Sequence, residues 1–372
     1  MKLAIFTLVE HIENDGKYYG YAPYVREIDL WNAHFNEVLV VAPVSKKNKI
    51  DALTIPYQHS NLEVIDVPVF NIKSIGSIFK LLFSLPNMIF KMVRAMRQAD
   101  HLHFRSPSNI AAVAAVVQIF FPNKKKTMRY TGNWDPNSTQ PIGYKFQKWL
   151  LSNSFLTKNM TALVYGNWPN TSKNAKPFFA ATFNNSEKED FVVRSYNSEL
   201  KFVFLGALVA GKRPLLAIQI VELLLSKDLS CTLHFYGNGI LKDELQDYIS
   251  TRNLEKNIFL YGNKDRNEIK EALQQSHFTI LPSKSEGWPK ALAEGMFFGS
   301  IPISTKISCV DWMLGYGKRG ILIEPNAELA VEKILKVLRE ERLSEMAKAA
   351  QKWSQKYTVE KQKIEIETIL KN

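Results

Sequence analysis

"FTILPSKSEGWPKALAEGMFFGSIPIST", residues 278–305, gives the strongest indication of how this chain folds. It contains a short apolar run, a loop with proline and glycine, a helix-length apolar segment and a second apolar run. This order predicts two parallel strands joined by a helix. Glu294 lies within the apolar helical segment. Because a buried carboxylate needs a partner, Glu294 is predicted either to pair with another protein group or to bind a ligand.

The same alternation of strand and helix runs through both halves of the chain. Continuous apolar strands separated by helices predict parallel sheets that are covered on both faces. The predicted fold class is α/β, with two Rossmann-like doubly wound domains facing across a cleft. We expect the first domain at residues 1–190, the second at 197–355 and a C-terminal helix at 356–372 that packs back toward the first domain. The predicted strands are at 2–9, 37–44, 62–69, 101–105, 126–132 and 161–166, and then at 201–206, 231–237, 257–262, 278–283, 301–305 and 320–325.

Composition indicates an ordinary globular protein. The 372 residues are 46% hydrophobic and 23% charged, which is typical of folded domains. The two cysteines, Cys231 and Cys309, have no metal-type spacing and are predicted to be buried thiols. The first residues suit a β-strand better than a signal peptide, so we expect a cytoplasmic protein.

The net charge of +12 lies mostly in the first half, where residues 1–180 contain 21 Lys and Arg against 11 Asp and Glu. Such a field predicts an anionic neighbour, for example the inner face of the plasma membrane, on which the protein would be peripheral. The segment Phe70–Gln98 interleaves basic and large apolar residues. Two readings stay open for it: helices packed on a sheet, or docking at a membrane interface.

The loop before the apolar helix carries the candidate site. Pro289 fits the first helical position, where its missing N–H costs nothing. The amides around Gly287 and Trp288 would then lie at a helix N-terminus, which favours anions. Glu286 and Glu294 stand eight positions apart in this segment.

The pattern of Glu286, seven residues and Glu294 resembles the signature of the retaining nucleotide-sugar glycosyltransferases of family 4, which have the GT-B fold. "FVFLGALVAGKRPLLAI", "LHFYGNGILKDEL", "NIFLYGNKDRNEIKEAL" and "SHFTILPSKSEGW" follow in that family's order and spacing. The resemblance is strong over residues 201–325. In the first half it is mostly architectural, with only "ADHLHFRSP" and "MRYTGNW" similar to the family.

The resemblance implies roles for individual residues. Glu294 would accept hydrogen bonds from ribose hydroxyls, and Glu286 would hold the donor sugar. Lys212, assisted by Arg213, would neutralise the departing diphosphate. Ala207 stands where many family members have an arginine, which leaves open an active variant or a weakened donor site. The full implied donor side is Gly206, Lys212, Arg213, Gly237, Tyr261, Gly262, Glu286, Gly287, Trp288, Pro289, Lys290 and Glu294.

The acceptor side has less specific candidates in the first half. By resemblance, His103 and Arg105 join Glu286 and Lys212 as catalytic candidates, although His103 could equally point into the core. Each of the remaining candidates has a structural alternative: turn geometry for the glycines and burial for the tryptophan. These candidates are Gly16, Gly20, Trp134 and Asp135.

The predicted function is transfer of a hexose from a nucleotide-diphosphate sugar to a hydroxyl of a glycan or lipid-linked acceptor, with retention, in cell-surface polysaccharide or glycolipid assembly. No Asp-x-Asp pair and no His/Cys cluster occurs, so we expect no metal and no cofactor; the nucleotide sugar is a substrate. Nucleic acid is not a predicted partner. The alternatives are a GT-B epimerase or phosphorylase, and a catalytically weakened nucleotide-sugar-binding subunit.

Overall fold

The protein, analysed as a computed structural model, consists of two compact units. The structure describes residues 1–45, 50, 54–69, 75–169 and 171–371, and for residues 75–82 the backbone alone. The first unit comprises Met1–Phe178 and the last residues from Lys363, and the second comprises Phe179–Gln362. The C-terminal helix thus ends in the first unit, where Ile366 is buried in the core. Residues 182–199, a segment rich in polar side chains, belong to the second unit.

The first unit has a parallel sheet with the strand order β10-β9-β8-β7-β1-β4-β6 and a small antiparallel sheet with the order β2-β3-β5. Its elements, in chain order, are β1 (Lys2–Phe6), β2 (His11–Asn14), β3 (Lys17–Tyr21), α1 (Ala22–Asn32), β4 (Glu37–Ala42), β5 (Thr54–Pro56), β6 (Leu62–Asp66), α2 (Ile75–Gln98), β7 (His101–Ser106), α3 (Asn109–Val117), β8 (Lys125–Tyr130), α4 (Ile142–Ser152), β9 (Met160–Tyr165) and β10 (Ala175–Phe178).

The second unit has a parallel sheet with the strand order β13-β12-β11-β14-β15-β16. Its elements are β11 (Leu200–Leu205), α5 (Pro214–Leu225), β12 (Cys231–Tyr236), α6 (Lys242–Thr251), β13 (Ile258–Leu260), α7 (Arg266–Gln275), β14 (Phe278–Leu281), α8 (Lys290–Phe297), β15 (Ile301–Thr305), α9 (Val310–Met313), β16 (Ile321–Ile323), α10 (Ala327–Leu338), α11 (Leu343–Ser354) and α12 (Val359–Lys371), the last of which crosses into the first unit.

The predicted fold class is confirmed by these sheets. All twelve predicted apolar runs form strands of the two parallel sheets. The small antiparallel sheet and β10 were not predicted. One core of the first unit contains the inner side chains of α2, α3 and α4, and the other contains those of α1 and Ile366. The sheet is therefore covered on both faces, as continuous apolar strands require.

Alternate residues of β7 face α1 and the residues that follow it. Arg105 lies over the ring of Tyr24, His103 packs against Trp31, and His101 packs against Phe35. The α1-facing row of β7 is therefore polar but enclosed, and only its last member, Arg105, keeps a partly exposed side chain.

A charged network closes this row at the carboxyl end of the sheet. Arg105 and Arg129 are register partners on the neighbouring strands β7 and β8. Glu27 of α1 accepts from Arg129 Nε at 2.8 Å and from Arg105 Nη1 at 3.4 Å. The Arg129 guanidinium also lies 4.5 Å from the ring centroids of Tyr165 and Phe178. Glu27 thus keeps two adjacent cations from repelling each other.

The burial of His103 predicts a pH dependence of stability. Burial lowers the pKa of His103 to about 3, below the roughly 6.5 of an unfolded histidine. The neutral imidazole therefore contributes stability above about pH 6.5 that is lost as the pH falls toward the folded-state pKa. The wild-type free energy of unfolding should decline by about 1.4 kcal/mol per pH unit more steeply than that of His103→Phe between about pH 6 and 4. Chemical denaturation at several pH values measures this, and parallel curves would contradict it.

Removal of the Glu27 charge should destabilise the first unit. Glu27→Gln leaves Arg105 and Arg129 adjacent and less compensated, and breaking a buried pair in this way costs about 3–5 kcal/mol. The matched control is Glu37→Gln, because Glu37 pairs with Lys2 at the surface and should contribute less than about 1 kcal/mol. Urea denaturation of both variants tests this, and equal losses would show that Glu27 has no special role.

Candidate active site

Three glycine-containing loops meet at the carboxyl edge of the second sheet. Gly206, Gly237 and Gly262 follow the neighbouring strands β11, β12 and β13. The Gly206 N–H donates to the carbonyl of Tyr236 at 2.9 Å, and the Gly237 N–H donates to that of Gly262 at 2.8 Å. These backbone bonds fix the loops against one another.

Glycine is favoured at positions 237 and 206 for different physical reasons. A Cβ added at Gly237 would lie 2.1 Å from the Gly206 carbonyl oxygen, so only glycine fits between the two loops. A Cβ added at Gly206 would have its nearest neighbour at 3.9 Å. Space therefore does not require glycine at position 206, but its φ of +153° does favour a residue without a Cβ.

An ion pair joins the first of these loops to the loop after β14. Lys212 Nζ donates to Glu286 Oε1 at 2.5 Å, and Ser283 Oγ donates to the same oxygen at 2.6 Å. The Glu286 side chain is 7% exposed and that of Lys212 is 29% exposed. The carboxylate is thus held from the interior, while the ammonium group remains partly accessible to an anion.

Arg213 holds the same loop in place. It lies in the left-handed region, with a φ of 50°, directly before Pro214 at the start of α5. Its Nη1 atom donates to the carbonyl oxygens of Pro282 and Ser283, at 3.3 and 3.1 Å. The guanidinium group therefore binds the backbone that leads from β14 to Glu286.

Glu294 has a neutral protein partner. Its side chain is half-buried, and its Oε1 atom accepts from Thr182 Oγ1 at 2.6 Å. Within the described part of the chain, no cation forms an ion pair with Glu294. Of the two alternatives from the sequence, a protein partner is thus present, but it is a hydroxyl donor of the kind that a ribose also offers.

Helix α8 starts one residue later than predicted. Its first residue is Lys290, and Pro289 takes the N-cap position rather than the first helical position. The Trp288 indole is buried in an aromatic cluster with Trp353 and Tyr357. The Gly287 carbonyl accepts from Ser308 Oγ at 3.3 Å. Only the backbone at Gly287 and Trp288 is thus left as a candidate contact.

Tyr261 is exposed at the end of β13. Its ring stacks on Tyr236, with ring centroids 5.1 Å apart, and its hydroxyl lies 3.2 Å from His234 Nδ1. The resemblance implies that the backbone at Tyr261 and Gly262 contacts the nucleobase, and the structure places both residues at the carboxyl edge of the second sheet.

Some of the candidate residues in the first unit are buried, and others are exposed. His103 as a catalytic group is corrected: it is 1% exposed and bonds to Thr127 Oγ1 at 2.8 Å. Trp134 as a sugar-stacking residue is likewise corrected, because it is 3% exposed and packs edge-on against Tyr130. Arg105 is partly exposed at the sheet edge, and Asp135 accepts from the Asn137 N–H in a turn at 2.8 Å.

The hairpin of β2 and β3 explains the two acceptor-side glycines structurally. Asp15 and Gly16 both have positive φ, 50° and 70°, at the two-residue turn. This is the geometry of a type I′ hairpin. A Cβ on Gly20 would lie 3.1 Å from Val25 Cγ2, so Gly20 allows β3 to pack on α1. Their contact with an acceptor stays a prediction.

Sequence reasoning did not identify Ser283, Thr182, Glu27 or Arg129. Ser283 lies within the quoted motif and could have been found there as a hydroxyl three residues before Glu286. Arg129 stands between the large apolar residues Met128 and Tyr130 of β8, and a cation in such surroundings is a signal of a buried partner. No local pattern marks Thr182, whose contact with Glu294 joins residues 112 positions apart.

A pocket of about 660 Å³ in the second unit lies away from this edge. Its lining includes Arg194, Lys201 and His277, of which the last two are at the amino ends of β11 and β14. The Arg194 guanidinium already donates to the carbonyl oxygens of Gly299, Gln274 and Phe298. This pocket is therefore distinct from the site at the carboxyl edge.

The described part of the chain contains neither a metal-binding cluster nor a helix that could span a membrane. Over residues 1–45, 54–69, 75–169 and 171–371, no group of three or more His, Cys, Asp or Glu side chains is arranged to hold a metal ion. In the same ranges, no helix has the length and apolar character needed to cross a membrane.

Comparison with known proteins gives consistent results. Residues 185–354 match the family described as glycosyl transferases group 1. An uncharacterized glycosyltransferase of Methanocaldococcus jannaschii is 27% identical over 161 residues, which are 43% of this chain and 44% of the relative. The poly(ribitol-phosphate) alpha-N-acetylglucosaminyltransferase of Staphylococcus aureus is 27% identical over 190 residues, 48% of this chain and 37% of the relative. These matches span less than half the length of either relative.

Among solved structures, the Anabaena protein HepE in complex with UDP and glucose is similar along the whole chain. The match has a TM-score of 0.70 at 15% identity and covers 100% of this chain and 99% of the other. At this identity the likeness shows the fold. The protein therefore has the GT-B fold, and residues 185–354 match the family of glycosyl transferases group 1.

Proposed function

We propose that this protein is a retaining glycosyltransferase that moves a hexose from a nucleotide-diphosphate sugar to a hydroxyl of a glycan or lipid-linked acceptor. The observation that carries the proposal is the Lys212–Glu286 ion pair at the carboxyl edge of the second sheet. In α/β sheets, ligands bind at this edge. The group 1 match over residues 185–354 includes Glu286 and Lys212 and supports the same assignment.

The geometry suits a separate role in donor binding for each of Lys212, Glu286 and Glu294. Lys212 would turn from Glu286 toward the diphosphate and stabilise the charge that develops on the leaving group. Glu286 would then accept hydrogen bonds from the donor sugar, while Ser283 keeps the carboxylate oriented. Glu294 would exchange its Thr182 hydroxyl for ribose hydroxyls. No step in this sequence needs a metal ion, and metal independence stays a prediction.

Biological context comes from the relatives. The Staphylococcus aureus relative is named for transfer to poly(ribitol-phosphate), and another relative, from Escherichia coli, is named for transfer to a diphosphoundecaprenol-linked sugar. These names support cell-surface polysaccharide or glycolipid assembly as the setting. Retention, as distinct from inversion, is tested by NMR of the anomeric configuration of the product.

Nucleotide binding tests the proposal directly. Thermal shifts with UDP, GDP and ADP should show stabilisation by one nucleotide, about 2.7 kcal/mol at 100 times its dissociation constant. Glu294→Gln and Lys212→Met should each lose most of this shift, because they remove a ribose acceptor and a phosphate cation. Matched controls are Glu332→Gln and Lys333→Met on the exposed face of α10.

The outcomes separate the candidate functions. Stabilisation that survives in both site variants would place the nucleotide elsewhere. No stabilisation by any nucleotide would favour the weakened donor site, for which the exposed Ala207 in place of an arginine is the motivating observation. Stabilisation without acceptor-dependent transfer would favour an epimerase or phosphorylase, which product analysis distinguishes.

A further inference from the structure

The helices on one face of the first sheet present apolar side chains to solvent. Helices α2, α3 and α4 lie side by side, with α3 packed between the other two, and their inner residues share one core. The outer side of these helices, together with the segments directly after α3 and α4, carries a set of exposed large apolar residues, which we call the outer helical face. Its members are Phe83, Phe90, Val116, Phe120, Ile142, Phe146, Trp149 and Phe155.

These exposures are high for such residues. Phe83 and Ile142 are each 86% exposed, and Phe120 and Phe155 are 81% and 79% exposed. Single exposed apolar residues are common on soluble proteins, but a patch across three neighbouring helices indicates an interaction surface.

Helix geometry places cations among these residues. In α2, the buried residues Met88, Met92 and Ala95 form one stripe, and Phe90, Arg94 and Arg97 lie on the opposite one. In α4, Leu150 and Leu151 are buried, while Ile142, Lys145 and Trp149 lie on the opposite side. The outer helical face is therefore aromatic and basic at once.

Acidic residues are almost absent from this part of the chain. Residues 67–186 contain 15 Lys and Arg but only two acidic residues, Asp100 and Asp135. Neither acidic residue lies in α2, α3 or α4. The charge of the surface thus selects an anionic partner.

Two other occupants fit the surface less well. A second copy of the chain would bring like charges together, which disfavours self-association. Single-stranded nucleic acid is bound by stacking on aromatic rings along a basic groove. Here the apolar groups include Ile142 and Val116, which have no ring to stack on, and they stand on outer helix faces.

We propose that the outer helical face docks the protein on an anionic lipid bilayer. Phe and Trp side chains would enter the headgroup region, while Arg94, Arg97 and Lys145 contact lipid phosphates. The helices would lie in the plane of the surface, since none in the described ranges is long and apolar enough to span it. For α2, the proposal combines the two readings of Phe70–Gln98: the inner stripe packs on the sheet, and the outer stripe would dock. Residues 70–74 lie outside the described part.

Docking would bring the first unit to the surface where a lipid-linked acceptor resides. The docking inference is independent of sugar transfer, because its test measures binding rather than activity. It extends the sequence prediction by adding α4, Phe120 and Phe155, which the linear charge pattern did not mark.

Vesicle co-sedimentation of the full chain tests the inference. The probes are phosphatidylcholine vesicles with and without about one third phosphatidylglycerol, at low and at physiological salt. Wild type should bind the anionic vesicles, and more weakly at higher salt. Phe146→Ser with Trp149→Ser should lower the partition coefficient at least about tenfold. The triple variant Arg94→Gln, Arg97→Gln and Lys145→Gln should do the same.

Matched controls carry equivalent changes elsewhere. Tyr316→Ser with Leu329→Ser removes two apolar residues that are 71% and 51% exposed in the second unit. Lys333→Gln with Lys336→Gln and Lys352→Gln removes three charges from exposed positions of α10 and α11. Both controls should bind as wild type does, and a thermal melt of every variant confirms folding. Absence of wild-type binding, equal losses in face and control variants, or self-association through this face without vesicles would each overturn the inference.

Discussion

Burial of a parallel sheet on both faces is the constraint on which the rest of this structure depends. Helices cover each large sheet of the two units, so polar side chains reach solvent mainly where the strands end. In the second unit this edge gathers Lys212, Ser283 and Glu286. In the first unit it gathers Glu27, Arg105 and Arg129. The candidate chemistry of both units therefore follows from the same architecture.

The two charged clusters differ in how completely protein groups enclose their cations. Arg129 is enclosed by Glu27 and two aromatic rings and serves the fold. Lys212 is more exposed than Glu286, to which it is paired, so an incoming anion can compete for it. Such a pair keeps the carboxylate oriented in the absence of a ligand, and the lysine can pair with it again after the product leaves. This difference is the physical basis for proposing the donor site at the second cluster.

The two large sheets could be predicted because a strand buried on both faces must be apolar throughout. Burial on both faces also limits the prediction of side-chain roles. The alternation of side chains along β7 does not tell which of His103 and Phe104 is enclosed, because both are buried. Trp134 shows the same limit, since a large aromatic suits a sugar site and a core equally, and the structure buries it. The small antiparallel sheet was missed although Asp15–Gly16 is a hairpin turn signal. Thr182 could not be found from sequence, because its contact with Glu294 exists only in the folded chain.

The central claim is that a nucleotide sugar binds at the carboxyl edge of the second sheet between Lys212 and Glu294. A crystal structure of the protein with the stabilising nucleoside diphosphate would test this most directly. The account predicts the ribose hydroxyls within hydrogen-bond distance of Glu294 and the diphosphate beside Lys212, with the Lys212–Glu286 contact lengthened. A nucleotide bound elsewhere, for example in the pocket lined by Arg194 and His277, or bound with the Lys212–Glu286 pair unchanged, would contradict it.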